Sequence, residues 1–472
     1  MKKLILSFTT ALFILLNTNT QAQTYEILAT YSAIELANLA ASFGVPSSVY
    51  SAEYGVNAYK VTYDMPYMGE NIEVSGAMFI PIEFPYEACN IPVHTYMHGT
   101  VFKRTDAPSF LPFEAIIGYL MSSPGYIVLM PDYVGLGISE LMHPYVHAQS
   151  EADAGIYMMK ALEIMAIDIG INTSEQIFIS GYSQGGHAAM AMAQEIEANW
   201  SDEYTITACA PMSGPYDISG TQFPMIGTTP TYSNPAYLAY NIIGWNSFYG
   251  NLYEDLSEIF QEPYASILPG MFDGESSGTE INAAMTPVIA DLIQPGILEN
   301  ILNDPEHPFQ IAAIDNDVFK WVPETYMQLY YCTADEQVFY ENALIAAEWM
   351  TENGALHVTT SNGGNLDHGD CAGDAIFGGL VWMDQYRQLF DCIPESVSDF
   401  NNQSDWMIIP NPAIDGHTTI SGLPLDVAWN LRDISGRILE SGNGSNITLG
   451  ECSPGVYFIE TEGYGTKRFL AN

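Results

Sequence analysis

The feature that most constrains this chain is a serine set in a bend between a strand and a helix. Gln176-Ile-Phe-Ile-Ser180 reads as a buried strand, Gly181-Tyr182-Ser183-Gln184-Gly185-Gly186 as a tight turn, and His187-Ala-Ala-Met-Ala-Met-Ala-Gln-Glu-Ile196 as a helix that follows at once. G-x-S-x-G in that context is where a serine hydroxyl is held beyond the end of a sheet on a strained elbow. Glycines at 181 and 185 suit the bend, because side chains there would crowd it. The surroundings agree. Between 23 and 395, β-rich runs alternate with helical stretches, the pattern of a mainly parallel sheet flanked by helices. Strands are expected over 91–97, 126–130, 176–180, 205–209, 327–332 and 355–360, and helices over 150–169, 187–199, 340–353 and 375–389. From about 216 to 320 the alternation gives way to a segment rich in Tyr, Phe, Ile and Leu. It carries helical pieces over 252–260 and 279–292 and reads as a cap inserted above the sheet.

A serine hydroxyl becomes a useful nucleophile only when a base takes its proton and a third group orients the base. On such a sheet the partners follow in the order serine, acid, histidine. Of nine histidines, His307, His357, His368 and His417 follow the start of the cap. His307 lies within the cap and His417 near the C-terminus. His357 sits in a β-run that would turn its ring into a face of the sheet. His368 follows in the loop Ser361-Asn-Gly-Gly-Asn-Leu-Asp-His-Gly369, and is the expected base. The acid should lie just past the preceding strand, where Cys332-Thr-Ala-Asp-Glu-Gln-Val338 makes Asp335 the first carboxylate. Glu336 should point to the opposite side, and Asp367 and Asp370 read as solvated loop acids. If Asp335 holds His368, Cys332 and Cys371 flank the pair and a disulfide between them is expected. A developing oxyanion needs two N–H donors. The amide of Gln184 is one, and Thr100, after the sharp turn allowed by Gly99, offers the other. His98 reads as a packed turn residue.

Composition narrows the partners. Twelve Lys and Arg stand against 56 Asp and Glu, a formal net of −44, so a phosphate backbone or an anionic membrane surface would be repelled. Nucleic acid is therefore not an expected partner. Calcium loops and paired-cysteine zinc motifs are absent from the sequence. Met1-Lys2-Lys3, the apolar run 4–16 and Thr20-Gln21-Ala22 together read as a signal peptide over 1–22, cleaved after Ala22, so the protein is expected to be exported. Residues 23–400 carry 48 acids and six bases, whereas 401–472 carry eight and four. A polar stretch over 396–404 reads as a linker between the catalytic domain, 23–395, and a tail, 405–472.

Several segments carry a resemblance. His98-Gly99, Pro131-Asp-Tyr-Val-Gly-Leu-Gly137, His143-Pro-Tyr145, Gly181–Gly186, Asp335–Val338 and His368-Gly369 resemble an α/β-hydrolase of the secretory lipase/esterase group over most of 60–390. The resemblance implies hydrolysis of a carboxylic ester, lipids among the candidate substrates, through an acyl-enzyme on Ser183, with His368 as base, Asp335 as orienting acid and no metal or organic cofactor. The aromatic, aliphatic cap points to an apolar acyl group, as for a lipase or medium-chain esterase. In the tail, Ile409-Pro-Asn-Pro412, Leu431-Arg-Asp-Ile-Ser-Gly-Arg437, Gly455-Val-Tyr-Phe-Ile459 and Lys467-Arg468 resemble a type A C-terminal sorting domain of type IX (Por) secretion. That implies passage to the cell exterior or outer surface, with the secretion machinery as a partner. Independently, short alternating runs separated by Gly, Asn and Pro read as a small antiparallel β-sandwich. The expected architecture is therefore an α/β-hydrolase with a helical cap, plus that sandwich. Two rivals stand beside the esterase: a serine peptidase of the prolyl-oligopeptidase type, and a non-catalytic surface binding protein on the same fold.

Overall fold

The computed structural model describes residues 24–388, apart from 44, 46–49 and 87–88, together with stretches between 407 and 471. The expected signal peptide and linker lie outside the described residues. Among these residues nine strands make one sheet: β1 Thr24–Tyr31, β2 Gly55–Tyr67, β3 Glu70–Ile82, β4 Ile91–Met97, β5 Ile127–Pro131, β6 Thr173–Tyr182, β7 Ile206–Met212, β8 Tyr326–Tyr331 and β9 Val358–Asn362. Their spatial order is β1-β2-β3-β5-β4-β6-β7-β8-β9. From β5 to β9 neighbouring strands are parallel, while β1, β2 and β3 pair antiparallel and β3 joins β5 antiparallel.

The parallel strands are the ones the alternation of β-rich and helical runs located. All seven residues of β4 are buried, as a strand covered on both faces requires. Successive residues divide between two apolar clusters: Leu129, Met97 and Ile179 pack on one side, and Val128, Tyr96 and Phe178 on the other. Helices α1 Ala33–Ser42, α2 Ile116–Ser122, α3 Ala148–Ile169 and α4 Gln184–Asn199 precede β7, and α12 Glu341–Glu352 and α13 His368–Met383 follow β8. The long β2–β3 hairpin is absent from the sequence-based expectation. Its turn is Met68-Gly69, both at positive φ (51° and 84°), so it lacks the Asn-Gly or Asp-Gly pair that usually announces such a turn.

Between β7 and β8 the cap contains α5 Phe223–Thr228, α6 Pro235–Tyr249, α7 Tyr264–Ile267, α8 Gly278–Ala283, α9 Ile289–Leu292, α10 Ile297–Asn303 and α11 Pro308–Asp315. Two expectations fail here. The 252–260 stretch forms only a short 3-10 turn, Leu256–Glu258, and the 279–292 stretch is two helices, broken where Pro287 has no N–H to give. The longest cap helix, α6, has proline in its first turn and ends at Gly250 in the left-handed region, and it buries Trp245 completely.

At the C-terminal end, strand Ala428–Asp433 pairs antiparallel with Ile438–Asn443 and with Gly455–Thr461, which pairs with Gly465–Ala471. Ile420, Trp429, Leu431 and Ile459 form a separate small core there.

Burial also sets a pH dependence. His94 on β4 is wholly buried, its Nε2 2.8 Å from Ser180 Oγ, and desolvation lowers its pKa to about 3. Stability from keeping it neutral is present above the unfolded value near 6.5 and is lost as pH falls toward 3. Between pH 7 and 5, His94→Gln should lose about 2 kcal/mol less unfolding free energy than wild type, as read by urea titration.

Candidate active site

The elbow is built by close approach of backbones. Ser183 stands between β6 and α4 at φ 62°, a conformation that costs a residue with a side chain and persists only when its surroundings hold it. Ser183 N donates to Met212 O on β7 (2.9 Å), and Ser183 O accepts from Gly186 N (2.9 Å) and His187 N (3.2 Å). A methyl group at Gly181 would overlap the Gly185 carbonyl, and one at Gly185 would overlap Met97 O at the end of β4. The sharp turn is therefore reserved for glycine at both places, and β4 ends directly against it.

The structure brings together the three residues that the order rule selects. His368 Nε2 lies 2.9 Å from Ser183 Oγ, and His368 Nδ1 lies 2.7 Å from Asp335 Oδ2. The other carboxylate oxygen, Asp335 Oδ1, accepts from Gln337 N (3.0 Å) and Val338 N (2.9 Å). Asp335 and His368 are 6% and 7% exposed, so little water competes for either. His368 is the first residue of α13 rather than a mid-loop residue, because Asp367 caps the helix by accepting from Asp370 N. Its backbone is pinned twice: Tyr182 Oη donates to His368 O (2.6 Å), and His368 N donates to Glu336 Oε2 (3.2 Å). Glu336 thus does not turn away, but it touches the backbone and not the ring. Burial raises its pKa, yet hydrogen bonds from the Gln337 side chain and from backbone amides, His368 N among them, hold it below the usual carboxylate value. Cys332 and Cys371 form the expected disulfide, Cα atoms 6.1 Å apart, and so tie the Asp335 loop to the first turn of α13. His357 lies just before β9, exposed, its ring against Tyr326, and His307 caps α11.

The two oxyanion candidates sit on elements that meet at the elbow. Gln184 is the first residue of α4, where an amide has no intrahelical acceptor. On the loop after β4, Gly99 N is taken by Glu114 Oε1 (2.9 Å), which leaves the amide of Thr100 as the next along. Thr100 Oγ1 is 2.8 Å from Tyr145 Oη. His98 is a turn residue, its ring nitrogens facing Gly99 O and Asp132 O, stacked on Tyr133. Beside Ser183 opens a cavity of about 50 Å³, and the cap supplies most of its wall, including Phe223, Ile226 and Leu238. Among the described residues no group of His, Cys, Asp and Glu has the arrangement of a metal site.

The sequence reading missed the groups behind this triad. Tyr182 and Tyr145 lie within the quoted segments Gly181–Gly186 and His143-Pro-Tyr145, and Glu151 within the expected helix 150–169, but the sequence reading gave none of them a role.

No family model and no curated protein matches this chain. Solved structures do. A candidate hydrolase from Legionella pneumophila superposes with a TM-score of 0.71 at 26% identity, over 78% of this chain and 98% of that one. The rice cell wall degrading esterase LipA from Xanthomonas oryzae gives 0.68 at 27% identity, over 77% and 96%. Candida antarctica lipase A in its closed state gives 0.57 at 13% identity, over 78% and 84%, a likeness of fold alone. The chain has the α/β-hydrolase fold.

Proposed function

We propose that this chain is an exported serine hydrolase of carboxylic esters, acting through an acyl-enzyme. The observation that carries the reading is the hydrogen-bonded series Ser183 Oγ, His368 Nε2, His368 Nδ1, Asp335 Oδ2, set on a strained elbow. Likeness to a solved esterase at 27% identity over nearly its whole length supports the ester as substrate.

In the first half-reaction His368 Nε2 takes the Ser183 proton as Oγ attacks the ester carbonyl. The negative charge that forms on the carbonyl oxygen is met by the amides of Gln184 and Thr100. His368 returns the proton to the departing alcohol, leaving Ser183 acylated. Water then adds to the acyl carbon, His368 takes its proton, and the carboxylic acid leaves as the proton returns to Ser183. Asp335 accepts from His368 Nδ1 throughout, which keeps Nε2 bare toward the serine.

The cavity beside Ser183, about 50 Å³ and walled mainly by apolar cap side chains, favours a short acyl group. In a p-nitrophenyl ester series from acetate to palmitate, kcat/KM is expected to peak at acetate to butyrate and fall by at least about tenfold by decanoate. Aminoacyl anilides, assayed in parallel, should not be turned over. A maximum at long chains would contradict the size limit, and cleavage of anilides alone would favour the peptidase.

Delivery rests on the two ends of the chain. The signal-peptide pattern of 1–22 supports entry into the export route. The motifs of 405–472 support type IX secretion as the final step.

A further inference from the structure

Beneath the elbow lies a set of polar side chains that the reaction does not use. Glu151 on α3 and His187 on α4 are wholly buried, and Gln184, His143 and Asn316 are at most 2% exposed. Both oxygens of Glu151 are engaged by the first turn of α4: Gln184 Nε2 donates to Oε1 (2.7 Å), and His187 Nδ1 faces Oε2 (2.8 Å). His187 Nε2 faces Asn316 O (3.0 Å) at the end of α11, so both ring nitrogens look at oxygens.

Gln184 is fixed in orientation as well as in place. His143 Nδ1 donates to Val134 O (2.7 Å), and burial keeps the ring neutral by lowering its pKa to about 3. Its Nε2 is then an acceptor, 2.8 Å from Gln184 Nε2. Two acceptors thus claim the same amide nitrogen. The side chain of the residue whose backbone N–H faces the reacting carbonyl is locked by a carboxylate from a different helix.

Resting on the proposed function, we infer that Glu151 is a positioning residue, which fixes the oxyanion amide of Gln184 by holding its side chain and that of His187 against α3. Burying a carboxylate is costly unless both its oxygens are paired. Here the pairing reaches only the turn that bears the nucleophile and the oxyanion donor. An amide that shifts by a fraction of an ångström loses much of its value at the transition state while substrate still binds.

Two variants test this. In Glu151→Gln the new amide accepts from Gln184 through oxygen and donates to a neutral His187 through nitrogen, so both bonds survive. In Glu151→Asp the carboxylate is withdrawn by one methylene and cannot reach both partners. On p-nitrophenyl acetate, E151D should lower kcat about tenfold or more with KM within about twofold, and E151Q should keep kcat within about threefold of wild type. A merely structural role would move KM and thermal stability and would not single out kcat. Wild-type kcat in E151D, or an E151Q as slow as E151D, overturns the inference while leaving the esterase reading intact. A wild type inert toward every ester takes both away.

Discussion

Ser183→Ala is expected to lower kcat for ester hydrolysis by about 10⁶-fold, roughly 8 kcal/mol of transition-state stabilisation, with KM little changed. The argument is geometric. Among the described residues, Ser183 is the hydroxyl placed 2.9 Å from His368 Nε2, and the elbow holds it beside the free amide of α4. The methyl group of alanine leaves cavity, oxyanion donors and base in place, so substrate still binds. What remains is the modest catalysis an oxyanion hole gives to attack by water. The comparison needs only purified protein, a chromogenic short-chain ester and a check that the variant melts as wild type does. A loss below about a hundredfold would mean that another group carries the reaction.

Asp335→Asn should cost about 10⁴-fold in kcat, and the structure says why an isosteric change is so damaging. Asp335 Oδ1 accepts from the backbone amides of Gln337 and Val338. In the asparagine variant those two N–H groups require the carbonyl oxygen at that position, which forces the amide nitrogen toward His368 Nδ1. The ring must then accept at Nδ1 and carry its proton on Nε2, pointing at Ser183 with nothing left to take the serine proton. Asp335→Ala, free of that wrong donor, is expected to be no worse than Asp335→Asn. The ordering of the two variants, read from kcat on one ester, separates a tautomer effect from loss of a charge.

Much of this site is legible in the sequence, for physical reasons that also mark where legibility stops. The elbow shows itself because strand, glycines, serine and helix are contiguous, and their joint requirement is local. Asp335 and His368 follow from chain order on a parallel sheet, since such a sheet presents the ends of β8 and β9 on the same rim as the elbow. The Cys332–Cys371 bridge follows from that convergence and not from cysteine spacing. Glu151, Tyr182 and Tyr145 could not be found this way. Each acts across a tertiary contact, and Glu151 reads as an ordinary position inside an amphipathic helix. The cap is the other gap. Its short helices are held by mutual packing around Trp245, Phe260 and Leu268, with little local periodicity to announce them. Pro287 breaks one apolar run that composition alone would join.

The central claim is that Ser183 is an activated nucleophile whose base is His368. The most direct measurement is reaction with a fluorophosphonate, followed by mass mapping of the adduct in wild type and in His368→Ala. One adduct per chain on Ser183, formed at least a thousandfold more slowly without His368, is the predicted result. Ester turnover that persists with Ser183 unlabelled, or labelling at an unchanged rate in His368→Ala, would contradict it.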